Sequence, residues 1–220
     1  MPRGFYTDDR GRVRPVGGGG GRSGSVLLAG LLALSAVGYG GAVGLSTGGS
    51  GGGGPGPGVA ERRAEGVDLA RRGDVEGAWR SIGLRELKRT DRRRSGCEAA
   101  SFGEVREFLL RSGCASVDRV LITVGDEAGN SAVVAVAWVV FGSGGEARAF
   151  RDVVDAPGTG DVRALGAAEV GLADIAFTGA NYGSDLDRTT VAVAEAEVAT
   201  GHLTSAALDA VAEVAARLPA

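Results

Sequence analysis

A long stretch without a charged side chain near the start of the chain limits what this protein can fold into. Residues 23–60 contain no Asp, Glu, Lys or Arg, and residues 26–45 are all apolar, small or singly polar. A helix of these 20 residues would be about 30 Å long, which matches the hydrocarbon layer of a bilayer. The sequence therefore predicts one transmembrane helix at 23–45.

Two other interpretations of this stretch stay open. A buried helix of a soluble protein normally shows a polar stripe and ends after about 10–14 residues. A cleaved signal peptide would fit the apolar run at 27–36, but the leader before it is long and no sharp A-x-A site precedes the glycine tract. We therefore favour an uncleaved signal-anchor.

The charges that flank the span predict its orientation. Residues 1–22 carry five Arg and two Asp, whereas no charge follows the span before Glu61. Since basic residues remain on the cytoplasmic side, we expect a cytoplasmic Arg-rich tail at 1–22 and an extracytoplasmic C-terminal domain at the cell membrane. Ala36, Gly40 and Gly44 share one helix face, which would permit a homodimer through the span.

The segment after the span separates the membrane from the folded part. Residues 46–58 are rich in Gly, Pro and Ser and predict a flexible linker. Residues 59–96 form a membrane-proximal, basic segment, with a helix predicted over 59–90. Its densest charge cluster either contacts anionic lipid or an acidic envelope polymer or is a solvated face, and we favour the solvated face. The basic residues of this cluster are Lys88, Arg89, Arg92, Arg93 and Arg94.

The distal part of the chain is acidic. Residues 95–220 carry 8 basic and 18 acidic side chains, which gives this part a net charge of −10. Such a surface repels polyphosphate, so it lacks the main source of affinity for nucleic acid. We therefore expect no nucleic-acid partner.

The two cysteines of the chain, Cys97 and Cys114, flank a predicted short helix. This helix, at about 101–112, begins with the capping-box spacing of Ser101 and Glu104 and ends at a glycine. Two free buried thiols are the alternative to a bridge. Because we expect export to an oxidising compartment, we predict a disulfide between Cys97 and Cys114.

Alternating and β-branched runs predict the remaining elements of residues 97–220. Strands are expected at 117–124 and 131–141, joined as a hairpin, and near 172–179 and 189–198, with a turn at 184–188. Helices are expected at 146–154 and 205–218. This order predicts an α+β fold in which an antiparallel four-stranded sheet packs with helices. A ferredoxin-like arrangement is the alternative topology.

Few residues of the domain offer catalytic chemistry. His202 is the only histidine and lies in a turn, so no triad is expected. Residues 155–161 resemble a phosphate loop but close a helix instead of opening one, so we interpret them as a plain connection. Glu195 and Glu197 lie about 7 Å apart on one strand face, which suits either acid/base work or a half-exposed strand. We expect no metal and no cofactor.

Several segments of the domain resemble a group of uncharacterised, membrane-anchored proteins of actinobacteria. The resemblance covers roughly residues 97–218, supports the predicted location and disulfide, and implies no activity or functional residue. The segments that carry it are 97–114, 132–141, 177–182, 193–197 and 207–214.

These observations leave three hypotheses of function. The leading one is a non-enzymatic module that binds a protein or cell-wall partner in the envelope. The second is small-ligand binding or hydrolysis at the sheet face of Glu195 and Glu197, which requires a concave pocket. The third is a structural, membrane-tethered dimer.

Overall fold

The computed structural model describes residues 5–7, 13–15, 58–172 and 175–220. Two short strands near the start, β1 (Phe5–Thr7) and β2 (Val13–Pro15), pair in antiparallel fashion. The predicted span at 23–45 and the linker up to residue 57 lie outside the described residues. Within the described ranges, each helix is too short or too polar to cross a bilayer.

The fold is α+β and is built on one antiparallel sheet, as predicted, but that sheet has six strands and not four. The order across it is β3-β5-β6-β8-β7, and β4 pairs with β5 beside β3. The hairpin of β5 and β6 is confirmed, and β6 is a central strand with both faces covered. The strands are β3 (Arg85–Arg89), β4 (Arg93–Ser95), β5 (Ser116–Gly125), β6 (Ser131–Val140), β7 (Tyr182–Asp187) and β8 (Thr190–Thr200).

The additional strand β3 lies in the segment predicted to be helical. The expected helix over 59–90 is wrong, because the chain forms α1 (Val59–Arg71), a break, and α2 (Val75–Ser81) before it enters β3. Asp74 causes the new start by accepting a hydrogen bond from the Gly77 amide at 2.9 Å, as N-cap residues do. The helical periodicity therefore holds only as far as residue 82.

The edge strand β7 also lies where the sequence did not predict it. The prediction of a strand near 172–179 is wrong, because the described residues of that run form no strand. The prediction of a turn at 184–188 is also wrong, because most of these residues belong to β7. Ile175 and Phe177 pack against Leu121 and Val133 on a sheet face, so their apolar character reflects burial without strand pairing. Periodicity alone does not separate these two causes.

The described residues form three further α-helices, close to their predicted positions. These are α3 (Gly103–Ser112), α4 (Gly144–Val154) and α5 (Ser205–Ala215). Thr204 caps α5 by accepting a hydrogen bond from the Ala207 amide. The capping box at Ser101 is wrong, since Ser101 Oγ donates to the carbonyls of Cys97 and Glu98 instead.

The sheet separates two apolar layers. Helices α1, α2 and α5 cover one face, where Trp79 and Val211 pack on Val134 and Ala194. Helices α3 and α4 cover part of the other face, and residues 162–172 and 175–177 pack on a further part of it. Residues 59–96 thus contribute to the same core as the segment after them.

The Cys97–Cys114 disulfide is present and joins the two ends of α3. It closes the unit β4-α3-β5, in which β4 pairs directly with β5. The succession β4-α3-β5-β6-α4-β7 follows that of a ferredoxin-like fold. In that fold, however, a third strand lies between two strands that a helix connects. Direct pairing of β4 with β5 is inconsistent with the ferredoxin-like alternative.

Candidate functional site

A groove with a volume of about 740 Å³ runs beside the edge strand β7. Its walls come from the loop after α4, the loop before β7, the start of α3 and the C-terminal part of α5. We term it the carboxylate groove, because Asp155, Asp161 and Glu195 line it together with Tyr182 and Phe177. These residues are far apart in the chain and meet only through the fold.

Strand β8 delivers one of the two predicted glutamates to the groove. Its even-numbered residues from Ala192 to Ala196 face α5, so Glu195 and Glu197 project from the opposite face. Glu195 lines the groove and its Oε2 accepts a hydrogen bond from the Gly179 amide at 3.3 Å. Glu197 does not line it, and its Oε1 accepts bonds from the Thr178 amide and hydroxyl at 3.1 and 2.6 Å. The expected pair is therefore divided.

The partner of Glu195 in the groove is Asp161, whose side chain the sequence did not indicate. Asp161 is 9% exposed and hydrogen-bonds to the Glu195 carboxylate. Burial, this bond and the Glu195 charge raise the pKa of Asp161 to about 9, although the Val162 amide donates to its Oδ1 at 2.6 Å. Asp161 therefore keeps its proton at neutral pH and donates it to Glu195, and we call these two residues the shared-proton pair.

A second polar group lies beside this pair at the end of α4. The Tyr182 hydroxyl donates to Asp155 Oδ1 at 2.9 Å, and Arg151 Nε donates to Asp155 Oδ2 at 3.2 Å and to Ser184 Oγ at 3.3 Å. Burial, and then the charges of Asp155 and Asp161, raise the pKa of Tyr182 above its usual range. Tyr182 consequently remains a neutral donor, and Asp155 is already partnered.

The wall beside α3 is fixed by contacts between backbones. The Phe102 amide donates to the Asp161 carbonyl at 3.0 Å and the Val105 amide to the Thr159 carbonyl at 3.1 Å. Gly103 and Gly160 have positive φ angles of 64° and 94°, and a Cβ on Gly160 would collide with the Phe102 carbonyl. Only glycine permits this approach. These backbone contacts thus fix the position of the Asp161 main chain in the wall of the groove.

Aromatic and basic side chains form the rim. Phe102 is 41% exposed, and the Arg163 guanidinium lies 5.1 Å from its ring centroid. At the other end, Arg217 Nη1 donates to the Glu213 carbonyl at 2.9 Å. Burial lowers the pKa of Arg217 although Asp185 is nearby. The rim thus offers apolar ring faces, an Arg163 guanidinium that lies over one of them, and an Arg217 guanidinium whose Nε is 3.6 Å from Asp185 Oδ1.

The remaining predicted residues lie away from the groove. The loop 155–161 does close α4, as expected, but it also supplies the groove with Asp155 and Asp161. His202 is exposed in its turn, where its amide donates to Asn130 Oδ1 at 2.9 Å. Across the described ranges, the His, Cys, Asp and Glu side chains form no group of three or more that could hold a metal ion.

The basic cluster lies on β3, β4 and the turn between them, at the opposite edge of the sheet, and we term it the basic edge. Arg89 pairs with Glu86 at 2.7 Å, Arg93 with Glu169 at 3.5 Å and Arg94 with Asp118 at 3.0 Å, while Arg92 lies over the Trp138 ring at 4.7 Å. Together with Lys88, these are all five predicted residues. Most of this positive charge has a partner within the chain.

Comparison with known proteins gives no family for the chain. Protein-family models, curated proteins and solved structures were all searched, and none of them matches. The resemblance to actinobacterial membrane-anchored proteins stays a prediction.

Proposed function

We propose that the chain is a binding module that holds a small polar ligand in the carboxylate groove. The observation that carries this proposal is the shared-proton pair, because a carboxyl group that is 9% exposed and still borders an open groove is costly to build. Strongly perturbed carboxyl groups in a concave site are typical of functional sites. The groove volume also falls within the range of about 300–1,000 Å³ that ligand sites occupy.

The arrangement favours binding over glycoside hydrolysis. The two carboxyl groups of a glycosidase lie about 5–9.5 Å apart, with the substrate or a water between them. Asp161 and Glu195 instead hydrogen-bond to each other, and Glu197 is held by Thr178 outside the groove. A pair in direct contact is suited to recognising donor groups of a ligand.

The proposal includes the location of the module. We place the domain outside the cell membrane, tethered by the apolar stretch at 23–45, and the Cys97–Cys114 disulfide supports an oxidising compartment. The small polar group that binds in the groove would then belong to a protein or polymer of the cell envelope. Residues 46–58 would give the groove freedom to reach it.

A thermal-shift screen of the full-length chain in detergent tests the proposal. The probes are glucose, N-acetylglucosamine, acetate, 1,5-pentanediol and 1,5-diaminopentane, and we expect at least one of them to raise the melting temperature of the folded domain. In Ala156→Trp the indole occupies the groove, so the shift is expected to disappear. Ala128→Trp, on the exposed β5–β6 turn, is the matched control and should retain the shift.

The proposal is wrong if all five probes leave the melting temperature unchanged. It is equally wrong if Ala156→Trp keeps the full shift, because binding would then occur elsewhere. Before the melting temperatures are compared, both tryptophan variants must show the far-UV circular dichroism spectrum of the parent and an intact disulfide.

A further inference from the structure

The shared-proton pair restricts the kind of ligand that the carboxylate groove can take. Asp161 and Glu195 form the floor and hold one proton between them, so the floor offers hydrogen-bond acceptors and a net negative charge. The only hydrogen that the pair can donate is already used within the pair. The negative charge of the pair would repel an anionic group. A cationic donor could instead bond to the carboxyl oxygens of both Asp161 and Glu195.

The basic side chains around the groove contact groups other than the pair, and the Nε of Arg217 lies 3.6 Å from Asp185 Oδ1. Arg151 bonds to Asp155 and Ser184, and Arg217 to the Glu213 carbonyl. On the far side of the pair, Arg119 donates to the Arg163 carbonyl and to Ser95. None of these contacts is to Asp161 or Glu195. The charged and titratable groups that surround the pair from the packed elements are Arg119, Arg151, Asp155, Arg163, Tyr182, Asp185, Glu213 and Arg217.

We infer that the carboxylate groove takes an organic cation, whose ammonium group binds at Asp161 and Glu195 while the aromatic side chains that line the groove cover its stem. The inference rests on the proposed function and names the ligand class for it. On binding, the ammonium group takes the place of the Asp161 proton. The Asp161 O–H bond breaks, its proton passes to solvent, and the ammonium group donates hydrogen bonds to both carboxylates. One positive charge enters and one leaves, so the charge of the floor is conserved.

The rim suits the rest of such a ligand. Phe177 and the exposed ring of Phe102 present apolar faces along the groove, and Tyr182 of the edge strand β7 also lines it. Aromatic faces attract cations and cover alkyl stems. A primary or substituted ammonium on a short apolar stem therefore matches both the floor and the rim.

Replacement of a proton has a measurable consequence. Because the pKa of Asp161 is raised to about 9 in the free groove, each bound cation must displace about one proton at lower pH. The affinity is then expected to rise about tenfold per pH unit between about pH 6 and 8. A cation that binds elsewhere on this acidic domain has no reason to show this dependence.

Titration calorimetry on the full-length chain in detergent tests the inference with two probes of the same length. These are 1,5-diaminopentane, which is charged at these pH values, and the neutral 1,5-pentanediol. Measurements at about pH 6, 7 and 8, each in phosphate and in HEPES, count the protons released from the difference in buffer ionisation heat. We expect about one proton per diamine, the stated pH dependence, and at least tenfold weaker binding of the diol.

Matched variants locate the effect. Asp161→Asn keeps a hydrogen-bond donor to Glu195 but has no proton to release, so the pH dependence and the proton release should both disappear. Glu195→Gln, at the other half of the pair, should weaken diamine binding at least tenfold. Glu197→Gln removes a carboxylate from the same strand face outside the groove and should bind as the parent does.

The results separate this inference from the proposed function. Diamine binding without proton release, or diol binding of equal strength, overturns the inference while a ligand-binding groove stands. If another probe of the thermal screen binds in the groove and the diamine does not, the inference again fails alone. If no probe binds at all, the proposed function fails with it.

Discussion

The two edges of the sheet treat charge in opposite ways. At the basic edge, Arg89, Arg93 and Arg94 each form an ion pair, in part with residues distant in the chain. At the edge of β7, Asp161 and Glu195 come together as two acids with a single proton between them. The basic cluster is conspicuous in the sequence, but ion pairs within the fold largely neutralise it. Asp161 and Glu195 are inconspicuous in the sequence, but the fold places them together without a basic partner. Local charge density is thus a poor guide to where a site lies.

The largest expected effect breaks the acidic side of this comparison. The pKa of Asp161, about 9 in the folded chain, lies above that of an unfolded aspartate, so between these values the folded state holds a proton that the unfolded state has lost. The free energy of unfolding therefore falls as pH rises, by about 1.4 kcal/mol per pH unit from this group. Asp161→Asn should remove this slope and gain up to about 4 kcal/mol on the parent between about pH 5 and 8.

Urea unfolding at several pH values, followed by the fluorescence of Trp79 and Trp138, measures this slope, since both indoles are buried. Glu197→Gln, which removes a carboxylate of β8 outside the groove, is the control for the loss of one carboxylate. Parallel slopes for the parent and Asp161→Asn would mean that Asp161 does not hold its proton in the folded chain.

The next largest effect concerns the Cys97–Cys114 disulfide, which lies beside the basic edge. Replacing both Cys97 and Cys114 with serine should lower the free energy of unfolding by about 3 kcal/mol, because the unfolded chain gains the entropy of an open loop. Urea unfolding of the parent with and without a reductant provides the comparison. The double variant should match the reduced parent and be insensitive to the reductant, and a parent that is indifferent to reduction would contradict this.

The smallest effect sharpens the comparison within the basic edge. Arg92 lies over the Trp138 ring at 4.7 Å, so Arg92→Ala should cost about 0.5–1 kcal/mol. Its neighbour Arg93 has an exposed side chain and a long ion pair of 3.5 Å, and Arg93→Ala should change stability by less than about 0.5 kcal/mol. Equal losses in the two variants would show that the stacked arginine contributes nothing special.

The sequence predicts those elements whose cause is local. The strands β5, β6 and β8 and the helices α3, α4 and α5 have strong periodicity and turn residues at their ends. Strand β7 has neither, since Tyr182–Asp187 contains Gly, Ser and two Asp and becomes a strand only by pairing along β8. The basic strands β3 and β4 likewise depend on β5. Tertiary pairing overrides propensity in these segments.

The candidate site follows the same division. Alternation along β8 was enough to single out Glu195, but its sequence neighbour Glu197 was the wrong partner. Asp161 lies in a loop with the composition of an ordinary connection, and its burial arises from the approach of α3 and the sheet. No local pattern predicts that burial. A pair of this kind becomes visible only when distant segments are placed against each other.

The close approach of the backbones at Gly103 and Gly160 restricts how this protein can vary during evolution. Neither position has room for a larger residue. Two glycines, an aspartate directly after the second and a glutamate on a later strand therefore form a sparse signature. Distant chains that keep these four positions would be expected to keep the groove, even where the rest of their sequence has diverged beyond detection.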